Sequence, residues 1–249
     1  MKHILFFSML WVGVPAQADT EQRFSSGETQ VSLIELFSSE GCSSCPPAER
    51  WLASLREAPG LWRDFVPLEF HVNYWDRLGW PDRFASQDAT QREYDYTAAW
   101  HSASVYTPCF VRDGAEWRDQ LKVPGPAARK ADVLTVLMSG GKSGRAEFAP
   151  MKSSARDGFD LHIALLGSGL SSHVTAGENR GEMLKHEFVV LAFATHALAA
   201  DASQKIHRAE FVVPVSKITD APRQAVAAWV TRHGDSTPLQ ATGGWLESR

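Results

Sequence analysis

VSLIELFSSEGCSSCPPAER, residues 31–50, passes from one kind of secondary structure to another within twenty residues. Val31 to Phe37 is apolar and partly β-branched, which predicts a short buried strand. Ser38 to Gly41 reads as a tight turn, and Pro46-Pro47-Ala48-Glu49-Arg50-Trp51-Leu52 reads as the start of a helix. The tandem prolines suit a first helical turn: their missing N–H groups would have no intrahelical partner there, and their fixed φ is already helical. Cys42 and Cys45 sit at the junction, three apart, so that they can close a small disulfide ring. The donors and dipole of a helix N-terminus favour a thiolate, which makes Cys42 a candidate nucleophile. Half of a zinc site and a purely structural bridge are the other readings of this CxxC pair. Structural zinc takes four ligands and only Cys109 remains as a further thiol, while a ring this small constrains the unfolded chain little.

Upstream, Met1 to Ala18 has a basic start (Lys2, His3), an apolar run from Ile4 to Val14 and the A-x-A pattern Ala16-Gln17-Ala18. Together these predict a signal peptide cleaved near Ala18 and a periplasmic or secreted mature chain. No later stretch reaches the roughly 18 apolar residues of a membrane span. The mature chain of about 230 residues suffices for one large or two smaller domains. A hydrophobic content of 44% allows a core, and a net charge of -4 argues against a nucleic-acid footprint. The cysteine count is three, so a Cys42–Cys45 pair leaves Cys109 over.

Downstream, a helix over about Ala48 to Glu57 and a strand over Phe65 to Val72 complete a βαβ unit. The aromatic loop Asn73-Tyr74-Trp75-Asp76-Arg77-Leu78-Gly79-Trp80-Pro81 has two readings, Tyr74 and Trp75 lining a substrate cleft or packing beneath an irregular connection. A helix is expected over about Ser86 to Ser102. Val105 to Val111 predicts a further strand, turned back by Asp113-Gly114, and its Thr107-Pro108 suggests a cis-proline loop beside the thiols.

The segments IELFSSEGCSSCPPAERWL, FHVNYWDRLGWPDRFAS, VYTPCFVRDG and GENRGEMLKHEFVV, in this order, resemble a family of exported bacterial proteins with a thioredoxin-like domain, catalogued as a domain of unknown function. Asn73 and Cys109 stand where that family usually carries Asp and a polar residue without a thiol. The resemblance implies a thioredoxin-like domain with Cys42 and Cys45 as the redox pair and Pro108 as the cis-proline. It also places Glu35 where such domains hold a buried carboxylate, able to take the proton of Cys45; the other reading is a Glu facing solvent or paired with Arg50 or another base. His71 either approaches the thiols, with or without a metal, or ends its strand as a hydrogen-bonded histidine.

Beyond this region, Gly125 to Met138 is expected to be a helix with Ala128, Ala131, Val133, Leu134 and Leu137 inward, and Ser139 to Gly144 a linker rather than a phosphate loop. Alternating segments at Gly158–Leu166, Lys185–Leu198, Lys205–Val215, Ala225–Arg232 and Pro238–Leu246 predict an antiparallel, sandwich-like β module. Gly177-Glu178-Asn179-Arg180-Gly181 is read as a glycine-shaped hairpin turn or as a loop that binds a partner or the redox domain. The remaining histidines, His186 among them, lack metal-site spacing, and neither metal nor cofactor is expected.

The expected fold is therefore α/β: residues 1–18 a signal peptide, 19–142 a thioredoxin-like domain and 143–249 a C-terminal β-rich domain. The expected function is thiol–disulfide exchange with a protein partner. Cys42 attacks, Cys45 resolves, Glu35 assists, and Pro108 with Tyr106, Thr107, Tyr74 and Trp75 presents the partner chain. A copper(I) site on the same thiols and a non-enzymatic binding module with a structural CxxC are the alternatives.

Overall fold

The computed structural model describes residues 21–118, 122–151, 158–203 and 205–247. The expected signal peptide, residues 1–18, lies outside them. In chain order the elements are β1 (Glu21–Ser25), β2 (Ser32–Ser38), α1 (Pro46–Ser54), β3 (Phe65–His71), α2 (Gln87–Ala99), β4 (Cys109–Arg112), β5 (Ala115–Glu116), β6 (Val133–Ser139), β7 (Ser143–Ala149), β8 (Phe159–Ser168), β9 (Leu170–His173), β10 (Met183–His186), β11 (Val189–Ala200), β12 (His207–Val212), β13 (Arg223–Arg232) and β14 (Gln240–Trp245). Among the described residues, no helix is long and apolar enough to cross a membrane.

The expectation of a thioredoxin-like α/β domain followed by a sandwich-like module is corrected: the fold is mostly β, with two α-helices and one large mixed sheet among the described residues. Strands β2 and β3 are parallel and flank α1 in sequence, and β4 returns antiparallel on β2. The sheet does not stop at β3, because β11 takes its free edge. Val189 pairs in parallel with Glu69, and the Glu69 N–H donates to the Phe188 carbonyl at 2.9 Å. From β11 the sheet runs on through β12, β7 and β6 to β1 on one side and through β8 and β13 to β14 on the other. Hydrophobic burial settles the layering. Leu33, Phe37, Val66, Leu68 and Phe70 of β2 and β3 pack not only on α2 but against Ala164, Leu166, Ala225, Ala227 and Trp229 of β8 and β13. The opposite face of β8 and β13 buries Ile163, Val226 and Ala228 against Leu134, Val136 and Phe148 of β6 and β7. Strands thus cover strands where a thioredoxin-like domain uses helices.

Two local expectations are also corrected. The segment expected as a helix over Gly125 to Met138 contains β6: Val133, Thr135 and Val136 are β-branched, and Leu134, Val136 and Met138 are fully buried at every second position. The expected linker Ser139–Gly144 is the turn of the β6–β7 hairpin, in which Ser139 pairs with Ser143 and Gly140 and Gly141 take the positive φ values (55° and 66°) that glycine tolerates.

α1 covers one face of β2, packing Ala48, Leu52 and Leu55 on Ile34, Leu36, Phe110 and Phe188. The start of α1 is thereby fixed above the C-terminal ends of β2 and β3, where polar residues replace apolar ones. The close packing behind this arrangement is testable at Gly243, where an added Cβ would lie 2.7 Å from the Val226 carbonyl oxygen and 2.9 Å from the Trp62 ring. Gly243→Ala is expected to lower the urea midpoint by an amount equivalent to about 1–3 kcal/mol with an unchanged m value; an unchanged midpoint contradicts this packing.

Candidate functional site

The turn after β2 is closed by its own backbone: Cys42 N–H donates to the Ser39 carbonyl at 3.0 Å and Cys45 N–H to that of Cys42 at 3.2 Å. Cys45 is the N-cap of α1, with Pro46 and Pro47 in its first turn, and it forms a disulfide with Cys42. Both cysteines are 0% exposed, whereas Ser43 and Ser44 between them are open to solvent.

The cover over this ring is the loop Gly177-Glu178-Asn179-Arg180-Gly181, which tips the β9–β10 hairpin. The Asn179 side-chain amide donates to the carbonyls of Glu40 (2.8 Å) and Cys42 (3.0 Å). One Glu178 carboxylate oxygen accepts from the backbone N–H and the hydroxyl of Ser43, at 3.1 and 2.7 Å. The loop is a glycine-shaped hairpin turn, and it docks on the CxxC segment.

At the C-terminal ends of β2 and β3 lies a buried polar cluster assembled from four elements. Ser38 and His71 are paired neighbours on β2 and β3, and Glu69 shares the His71 side of β3. The Ser38 hydroxyl donates to Glu49 Oε1 of α1 at 2.5 Å. His71 Nδ1 is 2.7 Å from Asp82 Oδ2, and His71 Nε2 is 3.3 Å from Glu69 Oε1. His186, at the end of β10, places Nε2 3.2 Å from Glu40 Oε1 and Nδ1 3.7 Å from Glu49 Oε2. Trp80 donates to Glu40 Oε2 at 2.7 Å, and Asp82 accepts from the N–H groups of Glu40 and Phe84. Burial, reinforced by the charge of Glu69, pushes the Glu49 carboxyl up to about 7. Burial opposes protonation of His71, but Asp82 and Glu69 outweigh it and hold the imidazole well above its ordinary value. Burial acts against His186 in the same way and is overcome by Glu40 and Glu69.

The other residues singled out in the sequence fall into two groups. Tyr74, Trp75, Tyr106 and Thr107 come together around Pro108, whose bond to Thr107 is cis. Trp75 Nε1 donates to Thr107 Oγ1 at 2.8 Å, while Glu93 of α2 accepts from the Tyr74 hydroxyl (3.1 Å) and the Tyr106 N–H (3.3 Å). Trp75 also reaches the CxxC turn: a Cβ on Gly41 would lie 2.9 Å from Trp75 Cβ. Glu35 sits apart from the cysteines, on the α2 side of β2 opposite α1. It pairs with Arg92 Nε and accepts from the Tyr96 hydroxyl, each at 2.5 Å. Cys109 is buried in the core on β4, and burial pushes its thiol up to about 12, the behaviour of an inert core residue.

Sequence reasoning missed Glu40, Glu49, Glu69, Asp82 and His186, and offered His71 the thiols or an unnamed hydrogen bond where its partners are Asp82 and Glu69. One signal was available: Glu69-Phe70-His71 puts two ligand-type side chains on one side of an otherwise apolar strand. His186 carries no such signal, because only the β3–β11 junction brings the base of the β9–β10 hairpin to β3.

The protein-family model described as "Protein of unknown function (DUF1223)" matches residues 33–231. No curated protein matches the chain. Among solved structures, an Agrobacterium tumefaciens protein is similar at 20% identity and a TM-score of 0.53, over 88% of this chain and 95% of that one. HBP35 of Porphyromonas gingivalis is similar at 13% identity and a TM-score of 0.61, over 89% and 76% of the two chains. At these identities the likeness is one of fold alone.

Two predictions follow from the geometry. Losing the Asn179 amide removes both bonds to the CxxC carbonyls, on the order of 1–3 kcal/mol of docking energy. Asn179→Ala is accordingly expected to speed reduction of the disulfide by a small thiol by about tenfold, and an unchanged rate contradicts the covering role. Glu93 is raised, chiefly by burial, from 4.5 to about 7. Between those values it is protonated in the fold and ionised in the unfolded chain, so that folding takes up a proton and its contribution to stability falls as pH rises. The stability difference between wild type and Glu93→Gln should therefore change across that window and level off above about pH 7; a constant difference contradicts the assignment.

Proposed function

The chain belongs to the DUF1223 family of proteins of unknown function, and for this member we propose dithiol–disulfide exchange with thiols of a protein partner in the cell envelope, after export directed by residues 1–18. The observation that carries the reading is the position of the Cys42–Cys45 disulfide, at the N-terminus of α1 and beneath a small hydrogen-bonded loop tip. A ring spanning three residues removes little entropy from the unfolded chain, which makes it a poor stabiliser. At a helix N-terminus, however, the backbone donors and dipole favour the thiolate released when the ring opens.

In the disulfide form, a partner thiolate attacks Cys42 Sγ, the Cys42–Cys45 bond breaks, and Cys45 leaves as a thiolate that takes up a proton. A second partner thiol, as its thiolate, then attacks the mixed disulfide at the partner sulfur and releases Cys42. Two electrons pass from the partner dithiol to the cysteine pair, and the reverse sequence oxidises the pair at the expense of a partner disulfide. The docked loop 177–181 must swing off Ser43 and Cys42 for either direction. Tyr74, Trp75, Tyr106 and Thr107, gathered around Pro108 and joined to the turn through the Trp75–Gly41 contact, form the surface for the incoming chain.

Complete burial of both cysteines favours a second reading, a structural staple in a binding module. Variant proteins separate the two. Under exchange, Cys42→Ala abolishes turnover of a disulfide substrate, whereas Cys45→Ala accumulates mixed disulfides through Cys42. Normal turnover by Cys42→Ala refutes exchange, and full biological activity of the double alanine variant establishes the binding module.

A further inference from the structure

We propose that His71, His186, Glu69 and Glu49 bind a divalent transition-metal cation of the zinc type in the buried cluster at the C-terminal end of β3, independently of any thiol chemistry. Three residues from two strands, Glu69 and His71 on β3 and His186 on β10, each offer one donor atom, and these atoms lie within 4.8 Å of one another. Glu69 is in β3 together with His71, and His186 reaches them from the far hairpin; all three residues are 1% exposed. Among the described residues none of the atoms Glu69 Oε1, His71 Nε2 and His186 Nδ1 has a hydrogen-bond partner, the first two facing each other only as an ion pair at 3.3 Å. A buried polar atom without a hydrogen bond costs about 1–3 kcal/mol, and three such atoms share this small space. Glu49 Oε2 of α1 supplies a fourth donor, 3.7 Å from His186 Nδ1.

Two of the donor separations suit a tetrahedral metal. A tetrahedron of zinc bonds to N and O, about 2.0–2.1 Å each, has edges of about 3.3–3.4 Å. The His71 Nε2–Glu69 Oε1 separation of 3.3 Å matches that edge, and the 3.7 Å His186–Glu49 separation needs only a small adjustment. The outer shell has the arrangement that holds ligating imidazoles. Asp82 sits at the other ring nitrogen of His71 and Glu40 at the other ring nitrogen of His186, so that each imidazole offers a lone pair to the cluster once a metal displaces the proton on its inward nitrogen. Ser38 likewise holds the second oxygen of Glu49. Charge points the same way. Four carboxylates, Glu40, Glu49, Glu69 and Asp82, converge on two imidazoles, with no lysine or arginine among their hydrogen-bond or ion-pair partners in the described residues, and a dication adds positive charge there. Two imidazole nitrogens and two carboxylate oxygens suit Zn²⁺ rather than Cu⁺, which prefers thiolates.

The test uses the full chain with its disulfide oxidised, stripped of metal and then equilibrated with Zn²⁺, with Co²⁺ as the spectroscopic probe. The expected result is one Zn²⁺ per chain and an X-ray absorption spectrum with nitrogen and oxygen neighbours, two of them imidazoles, and no sulfur. His186→Gln and Glu69→Gln should weaken binding by about 100-fold or more, and His162→Gln, at a separate histidine between β11 and β13, should leave it unchanged. No stoichiometric Zn²⁺, a sulfur neighbour, or ligand variants that fold and bind as tightly as wild type would overturn the site. If the ligand variants fail to fold, the wild-type stoichiometry and spectrum decide alone.

Discussion

Four carboxylates and two imidazoles buried within one small volume impose the constraint around which this molecule is built. Buried charge is tolerated only where it is paired, hydrogen-bonded or metal-bound. Here the pairing groups come from elements far apart in sequence: Ser38 from β2, Glu49 from α1, Glu69 and His71 from β3, Asp82 from the connection to α2, and His186 from β10. Only Glu69 and His71 meet within one element; every other pairing crosses between elements. The β3–β11 junction is what makes the meeting possible, because pairing Val189 with Glu69 carries the β9–β10 hairpin to the end of β3. The mixed sheet and the polar cluster therefore depend on each other.

The turn that carries the disulfide is tied to this cluster and to the loop 177–181 through Glu40. Glu40, which precedes the CxxC by two residues, holds His186 and Trp80 with its carboxylate while its own carbonyl receives Asn179. Backbone and side chain of one residue thus join the cluster to the loop. Asn179 and His186 belong to the same hairpin, so its base is fixed in the cluster while its tip sits on Cys42. The tip is held by two buried bonds from Asn179 and two exposed ones to Glu178.

Local features of the sequence were legible and long-range ones were not. The strand, turn and helix of residues 31–54 follow from the β-branched run, the Gly41 turn and the tandem prolines, and each forms where the sequence places it. The strand endings of β8 and β13 followed from alternation. The fold class did not, because a βαβ unit followed by a Thr-Pro strand is compatible with more than one way of covering the sheet. Leu33, Phe37 and Phe70 are equally apolar whether a helix or Trp229 lies over them. β6 was misread because Leu134 and Leu137 also satisfy a helical period, while Val133, Thr135 and Val136 decided for the strand. At the site, Cys42, Cys45 and the cluster around Pro108 were visible as motifs. The partnership of Glu35 with Arg92 and the convergence of His186 on His71 were not, since both arise from tertiary pairing alone.

The reduction potential of the Cys42–Cys45 pair, measured by equilibration in thiol buffers with trapping of free thiols, tests the central claim most directly. An exchangeable pair is predicted to lie between about -270 and -120 mV, within reach of envelope thiol partners. A potential below about -300 mV would mark the bridge as structural and contradict the account.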